Sequence, residues 1–189
     1  MKAIKTILFV AAIALASLSS AQDQAEMMEA WMAAATPGAP HERLAEQAGT
    51  WNAVVEAWME PGAEPMVSES AVERVMSLDG RVLEERWSGT MMGMPFKGYG
   101  RTGYDNITQK YWSTWTDNMS TGLMTFTGQY DEEAEEFVFH GSYVDPMSEE
   151  TVDSRSVATM PEDDKEMMVM YETHDGEEIM TMRMSLTRQ

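Results

Sequence analysis

The chain has 189 residues, no cysteine, and 32 acidic against 13 basic residues, for a formal charge of −19 at pH 7. The length suffices for one domain with a sizeable core, and the absence of cysteine excludes disulfides and thiol catalysis. So acidic a surface repels nucleic acid and anionic lipid, which excludes both as partners.

The first residues, "MKAIKTILFVAAIALASLSSA", have the pattern of a secretory signal. Lys2 and Lys5 form the positive start, Ile7 to Leu18 the apolar run, and Ser19 and Ala21 the small-x-small cleavage pattern. The run falls short of the about 20 apolar residues that span a bilayer. Cleavage after Ala21 is therefore predicted, with the mature protein periplasmic or secreted and without a stable membrane anchor. The residue after the cut is not cysteine, so no lipoprotein anchor is expected. Losing Lys2 and Lys5 leaves 11 basic and 32 acidic residues, a formal charge of −21. The mature chain also carries 19 Met against 5 Leu and 2 Ile. Methionine fills irregular apolar spaces and adaptable binding surfaces, and its thioether suits Cu(I).

Residues 22–40 are read as a helical segment and linker. Asp23 to Ala34 has Met27, Met28, Trp31 and Met32 at helical spacing. "TPGAP", Thr36 to Pro40, breaks this helix. A short helical turn is predicted from His41 to Gln47, ended by Gly49. From Trp51 onward, alternating runs of about eight residues are separated by turn clusters such as "PGAEP", "LDGR", "DNITQ", "NMSTG" and "THDGE". No repeat or second domain is evident. Residues 41–189 are predicted to form a single all-β domain, an antiparallel up-and-down barrel of about ten strands.

Two "DG" pairs, Asp79–Gly80 and Asp175–Gly176, are hairpin signals that fix register. The first sets Arg74 opposite Glu85, Val72 opposite Trp87 and Met76 opposite Leu83 on the inner face, with Glu73 opposite Arg86 outside. The second sets Tyr171 opposite Met180, Val169 opposite Met182 and Met167 opposite Met184 on one apolar face, with Glu172, Thr181 and Arg183 on the other.

"FKGYGRTGYDN", Phe96 to Asn106, contains the spacing G-x-G-x-x-G. A dinucleotide loop needs a helix after it, but a turn and a strand follow here, so NAD binding is not expected. Strand alternation instead points Phe96, Gly98, Gly100, Thr102 and Tyr104 inward. The inward glycines imply either room for a ligand or a tight barrel bend. On the next strand Tyr111, Ser113, Trp115 and Asp117 point inward. Asp117 and Glu85 are candidate buried acids, and a structural hydrogen-bonding role stands beside a ligand-binding one for Asp117.

The segment Trp87 to Gly122, "WSGTMMGMPFKGYGRTGYDNITQKYWSTWTDNMSTG", resembles the core signature of the domain-of-unknown-function family numbered fifteen seventy-nine. The matching residues are Gly93, Pro95, Phe96, Gly98, Gly103, Tyr104, Asp105, Tyr111, Trp115, Asp117 and Met119; "GQYD" at Gly128 and "DP" at Asp145 also fit. The resemblance covers roughly His41 to Arg188 and brings no established activity. It implies a lipocalin-like, or calycin, barrel. "GTW", Gly49 to Trp51, matches the G-x-W opening of such barrels, and Arg188 stands where they place an arginine over that tryptophan. The first and last strands should then pair. Some related barrels bind haem, but no histidine here falls on an inward strand face, and no cofactor is expected.

The remaining chemistry is sparse. His41, His140 and His174 lack zinc-ligand spacing and are read as surface histidines. There is no G-x-S-x-G elbow, and the acidic runs lack calcium-loop spacing. The expected function is binding of a small apolar ligand in a cavity lined by Trp87, Phe96, Tyr104, Trp115, Met180, Met182 and Met184, with Asp117 as polar anchor. The alternatives are an enzyme using Asp117, with Glu85, as acid or base, and Cu(I) capture by the methionines.

Overall fold

A computed structural model describes residues 22–145 and 148–189. The signal sequence lies outside the described residues, as do Pro146 and Met147 in the turn "VDPMSEE". Residues 22–35 form helix α1, on which Met27, Met28, Trp31 and Met32 are all exposed. Residues 22–36 and those from Pro37 onward belong to separate units.

The second unit opens with helix α2, Ala39–Ala45, whose first turn accommodates Pro40 because that position needs no backbone donor. Ten strands follow among the described residues: β1 Gly49–Ala57, β2 Met66–Ser77, β3 Val82–Met91, β4 Met94–Asp105, β5 Lys110–Asp117, β6 Met124–Asp131, β7 Glu136–Val144, β8 Thr151–Glu162, β9 Lys165–His174 and β10 Glu177–Arg188. Each pairs antiparallel with its chain neighbours, and β1 pairs with β10, closing the barrel. Closure removes both unpaired edges. On the outside of the seam Arg183 lies opposite Glu56 and holds it through Nε (2.6 Å) and Nη2 (2.9 Å).

The first hairpin has the expected register, with Arg74 opposite Glu85, Val72 opposite Trp87 and Met76 opposite Leu83. Glu73 and Arg86 also face each other, but the ion contact of Arg86 runs to Glu84 at 4.0 Å. The second hairpin turns at Asp175 and Gly176, both with positive φ, as a two-residue loop requires. Its register starts as expected, with Tyr171 opposite Met180, and then shifts at a bulge between Met180 and Met182. Met182 therefore pairs with Met170 and Met184 with Met168, not with Val169 and Met167. One extra residue in β10 reverses the faces of β9 relative to the expectation. Glu166, Met168, Met170 and Glu172 turn inward, Met167 is exposed, and Met180 joins Tyr171 and Arg155 in the outward row.

The interior is unevenly filled. Trp51, Ala53 and Val55 of β1 pack with Val72, Trp87, Phe96 and Leu186 in a dry core. At the end where β1 begins, Leu83, Tyr111 and Phe137 pack around Leu44 of α2. The Tyr111 hydroxyl donates to the Pro40 carbonyl (3.2 Å). His41 is buried against Tyr104, with ring centroids 5.8 Å apart; the expectation of a surface histidine is corrected, because α2 lays this residue onto the barrel end. Helix α2 thus covers this end of the barrel.

Candidate functional site

Away from the end covered by α2, several inward residues of β5, β6, β7 and β9 are less buried than the dry core. Trp115, Phe126, Phe139, Met168 and Met170 point into the barrel by register, yet all are only half-buried. Met182 and Met184 complete this wall, half-buried and packed against the dry core. A barrel filled by its own side chains would bury such large inward groups. Small inward residues, Ser113, Ser154 and Ser156, withdraw volume from this side. Together these features leave this side of the interior less tightly enclosed than the dry core, with sulfur and aromatic carbon on its inward faces.

The paired glycines of β4 do not open that side. A methyl at Gly98 would run into the Trp115 indole, and one at Gly100 would stand 2.6 Å from the Glu85 carboxylate. The space they create is filled by those two side chains. Trp115 in turn meets Trp87 edge-on at 5.9 Å and Phe96 at 6.4 Å.

Charge enters the interior in two places. Arg74, fully enclosed, bonds Glu85 through Nε (2.9 Å) and Glu166 through Nη1 (2.5 Å) and Nη2 (3.0 Å). The predicted Arg74–Glu85 pair is present; Glu166 makes it a triad. A buried carboxylate is tolerated because its charge is compensated on the spot. The two glutamates raise the Arg74 pKa against the opposing effect of burial.

The second place is toward the end away from α2. Glu172 faces inward between Ser154 and Ile179. Tyr143 of the neighbouring β7 also faces inward, and a ring nitrogen of the exposed His174 lies 3.2 Å from the Glu172 Oε2. Burial first, then the charge of Glu172, push the Tyr143 phenol well above its ordinary pKa, so Tyr143 stays a donor. Ser154 is buried, and among the described residues its hydroxyl has no hydrogen-bond partner.

The residues expected to bind ligand are distributed as follows. Trp115, Met182 and Met184 point inward and are half-buried, packed against the dry core. Trp87 and Phe96 point inward but belong to the dry core. Tyr104 belongs to the covered end, 4.8 Å from the Tyr111 ring. Met180 is turned outward by the bulge. In Asp117, Oδ1 accepts from the amides of Met119 (2.9 Å) and Ser120 (3.1 Å), and Oδ2 from the Trp115 indole (2.8 Å). Both oxygens are used to build the β5–β6 turn and to fix the indole. Sequence reasoning missed Phe126, Phe139, Met168, Met170, Tyr143, Ser154 and Glu172. For β9 the available signal was Glu166 and Glu172, spaced by six and therefore on one face, which the bulge turns inward. Among the described residues no group of His, Cys, Asp and Glu is placed to hold a metal ion, and no helix is long and apolar enough to cross a membrane.

At the base of the barrel Arg188 lies opposite Trp51, its guanidinium 4.2 Å from the indole centroid. The expected closure of the first and last strands is thus present.

Two solved structures share this architecture. The S-type phycobiliprotein lyase CPES from Guillardia theta is similar with a TM-score of 0.55 and 14% identity, over 80% of this chain and 93% of that one. Rv2717c from M. tuberculosis is similar with a TM-score of 0.56 and 14% identity, over 81% of this chain and 99% of that one. At such identity they establish the fold, a calycin-like barrel. No curated protein matches the chain. The family model described as "Protein of unknown function (DUF1579)" matches residues 36–188, and with the closed ten-stranded barrel over the same residues, the chain belongs to the DUF1579 family.

Proposed function

We propose that the protein is an exported carrier that holds a small, largely apolar ligand inside its barrel. The observation that carries this reading is the half-buried inward wall of Trp115, Phe126, Phe139, Met168 and Met170 opposite a fully dry one. Ligand pockets are mostly apolar with a few placed polar groups, and methionine adapts to ligands of irregular shape. Export rests on the leader sequence of Met1 to Ala21.

The test is titration of the mature protein with the neutral fluorophore N-phenyl-1-naphthylamine, alongside native mass spectrometry. Saturable one-to-one binding is expected. Ser156→Phe, at a buried inward position beside Phe139 and Met170, should abolish it by filling the lumen. Absence of saturable binding, or binding that Ser156→Phe leaves intact, overturns the reading.

A second reading is supported by one register feature. Met182 lies opposite Met170, and Met184 opposite Met168, all four inward. Side chains at opposed positions are close enough to converge, and thioethers favour Cu(I). Anaerobic titration with Cu(I) and metal analysis decides: stoichiometric copper lost in Met168→Leu/Met184→Leu supports the reading, and no retained copper removes it.

A further inference from the structure

The polar groups toward the end away from α2 define what kind of apolar ligand fits. Glu172 is an inward carboxylate whose side chain is 16% exposed. An ionised carboxylate offers about four acceptor sites; His174 stands at one of them. The facing Ser154 hydroxyl is buried and, among the described residues, unpartnered. A ligand that covered Glu172 with hydrocarbon alone would strip water from its carboxylate and return nothing, and an unsatisfied buried polar group is costly. A carboxylate or phosphate head would meet Glu172 as a like charge, in a chain whose formal charge is −19. A donor-rich, cationic head does the reverse. It bonds Glu172 and supplies the donor that Ser154 lacks.

We infer that the ligand carried by this barrel is an amphiphile with a primary ammonium head, seated where Glu172 of β9 faces Ser154 of β8, and with its apolar tail among Phe126, Met168 and Met170. The inference rests on the carrier reading and adds the ligand's chemical class. The apolar wall supplies most of the affinity without discrimination, because hydrocarbon tails are alike. The Glu172–Ser154 pair supplies the discrimination, since a donor-seeking site rejects a head that cannot donate.

Three ten-carbon probes separate the two claims: decanol, decylamine and decanoate, each displacing N-phenyl-1-naphthylamine at about pH 7, where the amine is protonated and the acid ionised. Decylamine should bind about tenfold or more tighter than decanoate, the difference expected for one charge-assisted contact. Glu172→Gln should bring the ratio to within about threefold while leaving decanol unchanged. Ser154→Ala should weaken decylamine a few-fold, leave decanol unchanged and fold as the parent does, because it removes an unpaired hydroxyl. Glu69→Gln, an exposed outward carboxylate on β2, removes the same charge and should leave the ratio intact. Equal or tighter binding of decanoate, or a ratio unmoved by Glu172→Gln and Ser154→Ala, overturns the inference while decanol binding preserves the carrier reading. Failure of all three probes overturns the carrier reading itself.

Discussion

Arg188, at the end of the last strand, covers the indole of Trp51 at the start of the first, and the two are directly opposed across the closing ladder. The guanidinium donates to the carbonyls of Ala48, Glu46 (2.7 Å) and Asp163 (3.2 Å). The Trp51 indole nitrogen donates to Gln47 (3.0 Å). One planar cation thus ties α2's exit, the first strand and the turn between β8 and β9 together. Gly49 has φ +140°, and a methyl there would lie 2.7 Å from Arg188 Nη1; the G-x-W glycine exists to admit the arginine.

Arg188→Ala should therefore cost about 2–4 kcal/mol, from several charge-assisted bonds and the stacking contact. Arg188→Lys should recover less than half of this, since an ammonium can neither stack in plane nor span three carbonyls. Urea unfolding measures both; a full rescue by lysine would show that charge alone matters at this end.

Arg74 and Arg86 stand on adjacent strands and opposite faces, which makes them a matched comparison. Arg74 is enclosed between Glu85 and Glu166 and lies 5.6 Å from the Trp51 ring. Removing it leaves two buried carboxylates uncompensated, so Arg74→Ala should cost about 3–5 kcal/mol. Arg86, 59% exposed with one 4.0 Å contact, should cost less than about 1 kcal/mol. Equal losses in denaturant titrations would contradict the assigned faces.

How much of this was legible in the sequence depended on the range of the interactions. Local chemistry was readable: alternation and turn residues give the strands, "DG" fixes the first hairpin, and G-x-W with Arg188 gives the closure. The β10 bulge was not readable, because Thr181 differs from a regular strand residue in nothing that composition records. Its consequence is global within the hairpin, since one extra residue exchanges the faces of β9. Apolar patterning then misled, because it favoured an inward Val169 over an inward Glu166. What makes Glu166 acceptable inside is Arg74, 92 residues away, a pairing visible only in the folded barrel. Asp117 shows the converse: its inward side was correct, but its bonds to Met119, Ser120 and Trp115 belong to a turn geometry.

Gly98 and Gly100 should respond differently to alanine. The new methyl at Gly98 meets the rigid Trp115 ring, itself tied to Asp117, whereas at Gly100 it meets Glu85, whose longer chain can shift at the cost of its Arg74 bond. Gly98→Ala should destabilise by about 1–3 kcal/mol through overpacking. In a Trp115→Leu background the same substitution should lose most of that effect, giving a coupling energy of about 1 kcal/mol or more. Additive effects in this double-mutant cycle would mean that the indole does not occupy the glycine's space.

His41 predicts a pH response of defined sign. Its imidazole is buried between α2 and the barrel end, and Nδ1 accepts a hydrogen bond from the Gly38 amide (3.2 Å). That bond requires a ring with a free lone pair on Nδ1, so it is lost if Nδ1 takes a proton. Burial is the main cause that holds its pKa below the ordinary 6.5, opposed by a hydrogen bond at Tyr104 and assisted by the charge of Arg81. The unfolded chain therefore binds a proton at higher pH than the folded one. In the window below about 6.5 unfolding takes up a proton, so stability falls as pH falls, with a slope of up to about 1.4 kcal/mol per pH unit. The loss levels off only once the pH drops beneath the folded pKa. Removal of the group isolates this term from the carboxylates, most of which titrate at lower pH. The difference in unfolding free energy between the parent and His41→Gln, followed by urea titration from about pH 7.5 to 5, should shrink steadily through the lower half of that range. A difference that stays constant with pH, or widens toward acid, would show that His41 is solvated in the folded protein and that α2 does not seal the barrel.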